Sequence, residues 1–349
     1  MQDGTNRGPV QEDFFRRIGE DSLAPLWKVL AGLVTDEPKT QIRAHRWRYD
    51  EVRPFLLEAA ELVTTQEAER RVLVLENPSL PGQSRITRSL FGGLQIIMPN
   101  EIAPPHRHVA AALRFVIEGE GAYTSVDGER SWMKPGDFII TPSWTWHDHG
   151  NHGKGPVVWL DGLDMHMVNL YESSFREADE NRDAAHEPTK PDGDSLARFG
   201  ANLAPIEHGH TAKTSPIFSY PYDRTKAALL KLREAGPADP HFGYKMRYIN
   251  PLDGDWAMPT IATCMQFLPA GFKTEPYRAT DSTVFVAVEG RGRTTIGGET
   301  FEWGPRDVTV VPSWVPYTIA ADSDAFIFSY SDRAAQEKLG FWREEKIAA

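Results

Sequence analysis

Periodic apolar positions divide the chain into a helical start and a long β-rich part. Large apolar residues recur at a helical period over residues 11–34, and residues 51–68 predict a second helix. From Arg70, short apolar runs alternate with Gly, Pro and Asp, which is typical of strands joined by tight turns. The predicted strands lie at 71–75, 92–99, 113–117, 122–126, 137–141 and 156–160. Many short strands of this kind indicate a barrel or a sandwich.

A polar segment separates this region from a second β-rich region. Residues 176–215 begin with a strongly polar stretch with two prolines, which indicates a surface connection. A short helix is predicted over 226–235, the β-rich pattern returns over 256–330, and a closing helix is predicted over 331–345. The chain therefore contains two β-rich regions and one polar connection.

The two β-rich regions repeat each other. The run VIEGEG at 116–121 matches AVEGRG at 287–292, and the run PSW at 142–144 matches PSW at 312–314. Two copies of one β unit are the simplest explanation. We therefore expect four regions: N-terminal helices at 1–69, a first barrel at 70–175, a polar connection with a short helix at 176–235, and a second barrel at 236–349.

Composition narrows the class of protein. The 349 residues are 40% hydrophobic and 25% charged, as in a globular protein with a core. The net charge of −11 argues against nucleic acid or anionic membranes as partners. No apolar run reaches the roughly 18 residues of a membrane span, and the first residues lack a signal-peptide pattern. The single cysteine, Cys264, excludes an intrachain disulfide and a cysteine-rich metal site. These features indicate a cytoplasmic protein.

A pair of histidines precedes one of the predicted strands. His106 and His108 are two residues apart, so both side chains can point to the same face of a strand and into a barrel. Such a pair can equally consist of surface polar residues. A third histidine, His147, follows the next hairpin.

The context of these histidines resembles the cupin motifs. His106-Arg107-His108 with Gly119 resembles the first motif, and the residues that resemble the second are Gly136, Pro142, His147 and Asn151. The chain departs from the family in one important place, because Ala112 stands where a glutamate ligand is usual. The resemblance implies three neutral imidazole ligands, which would leave the full charge of a divalent metal to attract a dianionic ligand such as a carboxylate beside a phenolate. Zinc is the alternative to iron, but it would not explain a pocket rich in aromatic residues and flanked by arginine.

Longer runs around the motifs resemble gentisate 1,2-dioxygenases, a group that includes salicylate and 1-hydroxy-2-naphthoate dioxygenases. These runs are 106–119, 144–151 and 159–164, and the resemblance extends over about residues 10–345. It implies an all-β-dominated bicupin, with two antiparallel jelly-roll barrels and N-terminal helices. It also implies one Fe(II) per chain, O₂ as co-substrate, a small aromatic hydroxy acid as substrate and a homotetramer.

The same resemblance implies roles for other residues. Arg114 would hold the substrate carboxylate bidentately, and His149 would act as acid and base near the substrate oxygens, oriented by Asp161. The plain alternatives are a surface arginine, a structural histidine and a loop-capping aspartate. A second arginine would be Arg70, or its neighbour Arg71 if the register is shifted by one residue. The positions expected to line the pocket, or simply to belong to the core, are Gln95 and Phe91.

The second copy lacks the candidate ligands. Tyr277, Ala279 and Tyr317 stand at its motif positions, and no histidine follows His241. We therefore expect a metal-free second barrel that serves packing and oligomer formation.

The resemblance implies cleavage of a hydroxybenzoate between the carboxyl-bearing C1 and the hydroxyl-bearing C2, with gentisate giving maleylpyruvate. Two features favour an alternative substrate that has no free 5-hydroxyl: the run 109–111 is apolar, and Phe91 has no hydroxyl. The candidates are salicylate, a 5-substituted salicylate and 1-hydroxy-2-naphthoate. Alternatives of another class are a non-catalytic cupin that binds aromatic acids and a zinc cupin isomerase. A non-catalytic binder would not need the three histidines together with Arg114 and His149.

Overall fold

The computed structural model describes residues 8–180, 185–211 and 213–348. Its described residues form two compact units, one ending at Lys39 and the other beginning at Thr40. The helices are α1 Gly8–Glu20, α2 Leu26–Leu33, α3 Tyr49–Leu62, α4 Thr65–Ala68, α5 Met165–Leu170, α6 Asp194–Phe199, α7 Tyr222–Ala235 and α8 Arg333–Leu339. No helix in this part of the chain is long and apolar enough to cross a membrane.

The apolar pattern at 11–34 forms two helices, α1 and α2, with a break between them. Ser22 has a positive φ of 59°, which a helix cannot contain, and Pro25 caps the start of α2. The helix predicted at 51–68 is likewise divided into α3 and α4. The hydroxyl of Thr64 and the carboxylate of Glu67 form a capping box that starts α4.

The strands of the second unit fall into two sets along the chain. The first set is β1 His45–Trp47, β2 Val72–Val74, β3 Phe91–Ile97, β4 Ile102–His108, β5 Ala112–Glu118, β6 Ala122–Val126, β7 Glu129–Trp132, β8 Phe138–Thr141, β9 His147–Asn151, β10 Val157–Leu163, β11 Arg176–Ala178 and β12 Ser219–Tyr220. The second set is β13 Tyr244–Arg247, β14 Ala262–Leu268, β15 Tyr277–Ala279, β16 Thr283–Glu289, β17 Gly292–Ile296, β18 Glu299–Trp303, β19 Val308–Val311, β20 Tyr317–Ala321, β21 Ala325–Ser331 and β22 Glu344–Lys346.

Each copy forms a barrel of two antiparallel sheets, which confirms the predicted fold class. In the first barrel, the sheet β12-β8-β5-β10-β3-β2 faces the sheet β11-β4-β9-β6-β7. The second barrel repeats this arrangement with β1-β19-β16-β21-β14-β13 and β18-β17-β20-β15-β22. The barrels share one core, in which the rings of Phe115 and Phe328 stack with their centroids 4.1 Å apart.

The repeated Gly-x-Gly run has a steric cause. Gly119 and its counterpart Gly290 have φ values of 89° and 83°, in the left-handed region that favours glycine. A Cβ at Gly119 would collide with the carbonyl oxygen of Pro156, and one at Gly290 with that of Asp324. The repeat therefore marks a turn that needs glycine in both barrels.

Short strands outside the predicted strand runs also join the sheets. β22 begins within the predicted closing helix, whose observed counterpart α8 ends at Leu339, and it pairs with β15 of the second barrel. β1, from the predicted N-terminal region, pairs with β19 of the second barrel. β11 and β12, from the predicted polar connection, pair with β4 and β8 of the first barrel. Residues 181–184 of that connection lie outside the described residues, and the four region boundaries stay a prediction.

Candidate active site

Strand geometry brings three histidines together in the first barrel. His106 and His108 project from β4, and His147 projects from the neighbouring strand β9, where it pairs directly with His106. One ring nitrogen of each histidine lies within 4.8 Å of the others. His147 is buried, and the other two are half-buried. Ala112 is 1% exposed on β5 and brings no carboxylate, so the cluster consists of imidazoles alone.

Backbone carbonyls fix the orientation of these rings. The Nδ1 atom of His108 lies 2.6 Å from the carbonyl oxygen of Ala110, and that of His147 lies 2.9 Å from the carbonyl oxygen of Thr145. An Nδ1–H that donates to a carbonyl leaves Nε2 with its lone pair for a metal. The Nε2 atom of His147 is buried and has no hydrogen-bond partner among the described residues. This arrangement fits a metal ion.

The three rings are held in the neutral form. Burial lowers the pKa of His106 to about 2 and that of His108 to about 4, and the charge of Arg70 adds to the effect on His106. Burial also lowers the pKa of His147 well below its usual range. Neutral imidazole is the form that binds metals, so the cluster is ready for a cation.

Arg114 points its charge into this barrel from the facing sheet. It lies on β5, is 3% exposed and donates from Nη1 to the hydroxyl of Thr141. Its Nε lies 3.5 Å from Oδ1 of Asp161, its register partner on β10. Burial raises the pKa of Asp161 to about 6, although the charge of Arg114 opposes this shift. Arg114 therefore stands in a dry environment where a second carboxylate, from a substrate, would bind strongly.

The structure places Arg70, rather than Arg71, beside the histidines. The Arg70 guanidinium lies 2.6 Å from Nδ1 of His106 and donates to the carbonyl oxygen of Pro104 at 2.8 Å. Burial, and then the charge of Arg114, lowers the pKa of Arg70 to about 9, so it stays cationic at neutral pH. Arg71 instead forms a buried ion pair with Glu101. Two arginines therefore flank the cluster and give it a positive field.

His149 has a different partner from the predicted one. Its ring is fully buried on β9, Nδ1 lies 3.0 Å from the hydroxyl of Thr124, and Nε2 has no partner among the described residues. Asp161, which the sequence assigns to His149, instead contacts Arg114 and accepts a hydrogen bond of 3.1 Å from Trp159. The prediction that Asp161 orients His149 is corrected accordingly, because Asp161 is in register with Arg114.

Thr124 is the site residue that the sequence analysis did not name. It is in register with His149 across the β6–β9 pair, and it is fully buried. The Asp127-Gly128 turn predicts that Thr124 lies on the strand before it, but the sequence does not show that Thr124 contacts His149.

The two predicted pocket-lining residues lie on β3. Gln95 is 3% exposed and is in register with Trp159, whose ring centroid lies 5.2 Å from that of His149. Gln95 and Trp159 therefore share one face of their sheet. Phe91, at the start of β3, is in register with Leu163 and accepts a hydrogen bond from Tyr330 at its carbonyl oxygen. Phe91 thus contacts Tyr330 of the second barrel, and no hydrogen bond or ring contact of the described residues joins it to the histidine cluster.

Comparisons with known proteins agree with this geometry. The family model described as "Cupin domain" matches residues 93–163, which include all three clustered histidines. A gentisate 1,2-dioxygenase of Aquipseudomonas alcaligenes is 53% identical over 336 residues, covering 96% of each chain. A 5-aminosalicylate 1,2-dioxygenase of a Comamonas species is 36% identical and covers 99% of this chain and 91% of its own.

A solved structure shows the same fold. The salicylate 1,2-dioxygenase of Pseudoaminobacter salicylatoxidans, in a structure with gentisate, superposes with a TM-score of 0.92 at 33% identity, covering 100% of this chain and 96% of the other. These relatives confirm the predicted enzyme class over a non-catalytic binder or a zinc isomerase. The chain therefore belongs to the gentisate 1,2-dioxygenase family of ring-cleaving cupin dioxygenases.

Proposed function

We propose that this chain cleaves gentisate between C1 and C2 to give maleylpyruvate, using one Fe(II) held by His106, His108 and His147. The observation that carries the proposal is the cluster of three neutral imidazoles without a carboxylate, flanked by Arg70 and Arg114. Such a site favours a chelating anion, and gentisate presents a carboxylate beside a hydroxyl. The 53% identity to a gentisate 1,2-dioxygenase supports this choice of substrate.

When bound, Fe(II) supplies the redox chemistry between the aromatic ring and O₂. The protein supplies binding, orientation and proton handling. Arg114 holds the substrate carboxylate with two parallel N–H groups, and its burial excludes the water that would weaken this pair. Arg70 adds a second positive charge, which helps to bring an anion into a chain whose net charge is −11.

His149 accepts and returns the proton of a substrate hydroxyl at Nε2. The Nδ1 atom of His149 is engaged by the hydroxyl of Thr124 at 3.0 Å, whereas Nε2 is buried without a partner among the described residues. A base held in one orientation with one free nitrogen is suited to this transfer. Thr124 acts as a positioning residue, and Asp161 positions Arg114 in the same way.

A 5-substituted salicylate is the second candidate substrate. The run Val109-Ala110-Ala111 is apolar, with Ala110 and Ala111 7% and 2% exposed, and Phe91 brings no hydroxyl. The similarity to a 5-aminosalicylate 1,2-dioxygenase supports this alternative.

Oxygen uptake separates the candidates. The iron-loaded enzyme is given gentisate, salicylate, 5-aminosalicylate and 1-hydroxy-2-naphthoate in turn, and kcat/KM is compared. We expect gentisate to give the highest value. A higher value for 5-aminosalicylate or salicylate would transfer the proposal to that substrate, and no uptake with any of them would contradict it.

The resemblance to the family also supports three companion proposals. The second barrel carries no metal, the chain assembles as a homotetramer, and the enzyme acts in the cytoplasm. Size measurement in solution tests the oligomer directly.

A further inference from the structure

The second barrel contains a cavity of about 270 Å³ between its two sheets. Tyr277 of β15 and Tyr317 of β20 line it and are in register with each other. The equivalent strands of the first barrel, β4 and β9, pair His106 with His147 in the same way. The cavity is therefore the second barrel's counterpart of the metal pocket, with phenols in place of imidazoles.

Positive charge dominates the lining of this cavity. Lys245 and Arg247 alternate on β13, and Arg333 follows at the start of α8. Among the described residues, neither Lys245 nor Arg247 has a carboxylate within ion-pairing distance, whereas Arg333 contacts Glu337 at 2.8 Å. The carboxylate in the lining, Asp281, already accepts hydrogen bonds from Trp342 and Thr283. Arg247 is exposed and donates one N–H to the carbonyl oxygen of Gly254 at 3.0 Å, so Lys245 and the remaining N–H groups of Arg247 are left for an anion.

The remaining lining suits a flat apolar body. The Nζ atom of Lys245 lies 5.2 Å from the ring centroid of Phe242, and the guanidinium of Arg247 lies 5.3 Å from that of Trp256. These rings form walls beside the cations. Tyr317 lines the cavity, and no hydrogen bond of its hydroxyl is found among the described residues. A phenol hydroxyl at the cavity wall can donate a hydrogen bond to a ligand oxygen.

We propose that this cavity binds a small aromatic carboxylate as a second ligand, separate from the metal pocket. The carboxylate contacts Lys245 and Arg247, the ring packs against Phe242 and Trp256, and Tyr317 donates to a ligand oxygen. The volume of about 270 Å³ is close to the lower end of small-ligand pockets, roughly 300 Å³, and so fits a single ring. The aromatic walls favour this class of ligand over inorganic phosphate.

Cys264 provides a readout inside the cavity. It is the only cysteine of the chain, and it lines the cavity on β14. The rate of its alkylation by iodoacetamide, followed by mass spectrometry on the holoenzyme, is measured against increasing benzoate, which has no hydroxyl for the ring-cleavage reaction. We expect a saturable decrease in rate of at least about fivefold. Inorganic phosphate at equal concentration should give no protection.

Matched variants assign the protection to this cavity. Lys245→Met should raise the half-protecting concentration of benzoate about tenfold, whereas Lys231→Met, which removes an exposed lysine of α7, should leave it unchanged. Arg114→Ala weakens carboxylate binding in the first barrel, so protection must persist in that variant. Equilibrium dialysis with labelled benzoate counts the binding sites independently. We expect two benzoate sites per chain in the wild type and one in either Lys245→Met or Arg114→Ala.

Each opposite result would overturn the proposal. The first is an alkylation rate that benzoate does not change, together with a single dialysis site that Arg114→Ala removes. The second is equal protection by phosphate and by benzoate. The others are loss of protection in Arg114→Ala and unchanged protection in Lys245→Met. None of them bears on ring cleavage, which oxygen uptake tests separately.

Discussion

Replacing Arg114 with alanine removes a buried cation from the proposed substrate site. Arg114 is 3% exposed, so the pair that it forms with a substrate carboxylate is shielded from water. Losing such a desolvated, charge-assisted pair costs about 2–5 kcal/mol, which corresponds to a decrease in kcat/KM of about thirtyfold to several-thousandfold. Arg114→Lys should recover only part of the loss, because an ammonium group cannot form two parallel hydrogen bonds to a carboxylate.

The assay is oxygen uptake on gentisate at matched iron content, with kcat and KM determined separately. Arg71→Met is the matched control, because Arg71 is also a buried arginine of the first barrel but pairs with Glu101, away from the histidines. We expect Arg71→Met to lower the free energy of unfolding and to keep kcat/KM. Iron content should be unchanged in Arg114→Ala, since Arg114 is not among the proposed ligands. A kcat/KM within about threefold of the wild type would refute the role of Arg114, and Arg70 would be tested next.

Three further predictions concern other parts of the molecule. Thr124→Val should lower kcat about tenfold without changing iron content, whereas Thr124→Ser, which keeps the hydroxyl, should have a kcat near that of the wild type. A kcat that is the same in Thr124→Val and Thr124→Ser would contradict the positioning role. Burial, and then the charge of Asp281, raises the pKa of Asp332 to about 6, so the carboxylate destabilises the fold as the pH rises past its unfolded pKa of about 4. Asp332→Asn should therefore gain stability relative to the wild type progressively from about pH 4 to pH 6, by up to about 3 kcal/mol, in urea unfolding; a pH-independent difference would contradict this. Anomalous diffraction of iron-loaded crystals should show one metal per chain, and a second ordered metal would contradict the metal-free second barrel.

Local patterns predicted the barrels because many of the strands carry an apolar run bounded by turn residues. β9, with the sequence HDHGN, has no such run and was not predicted as a strand. The two copies could be aligned from runs such as 116–121 and 287–292 alone. Strands β1, β11, β12 and β22 were not predicted, because each is only two or three residues long and gains its structure from a distant partner strand. The break between α1 and α2 was missed for a related reason, since apolar residues continue on both sides of Ser22.

The i, i+2 spacing places His106 and His108 on one face of a strand, but the membership of His147 came from the resemblance to the cupin motifs, because β4 and β9 are about 40 residues apart in the chain. The partners of the surrounding residues depend on register between strands that are far apart in the chain. Asp161 contacts Arg114 because β10 and β5 place them opposite each other, and Thr124 contacts His149 for the corresponding reason on β6 and β9. The choice between Arg70 and Arg71 likewise required the structure, because both residues precede β2 in an irregular segment whose side-chain directions the sequence pattern does not determine.

Iron content and oxygen uptake, measured together on the same anaerobically reconstituted samples, test the central claim most directly. The wild type should bind about one iron per chain and consume O₂ with gentisate. His106→Ala, His108→Ala and His147→Ala should each lose iron retention and ring cleavage. The control His166→Ala should keep both, because His166 contacts the carbonyl oxygen of Ser84 and lies outside the cluster. Full iron content and activity in any one of the three cluster variants would contradict the proposed ligand set.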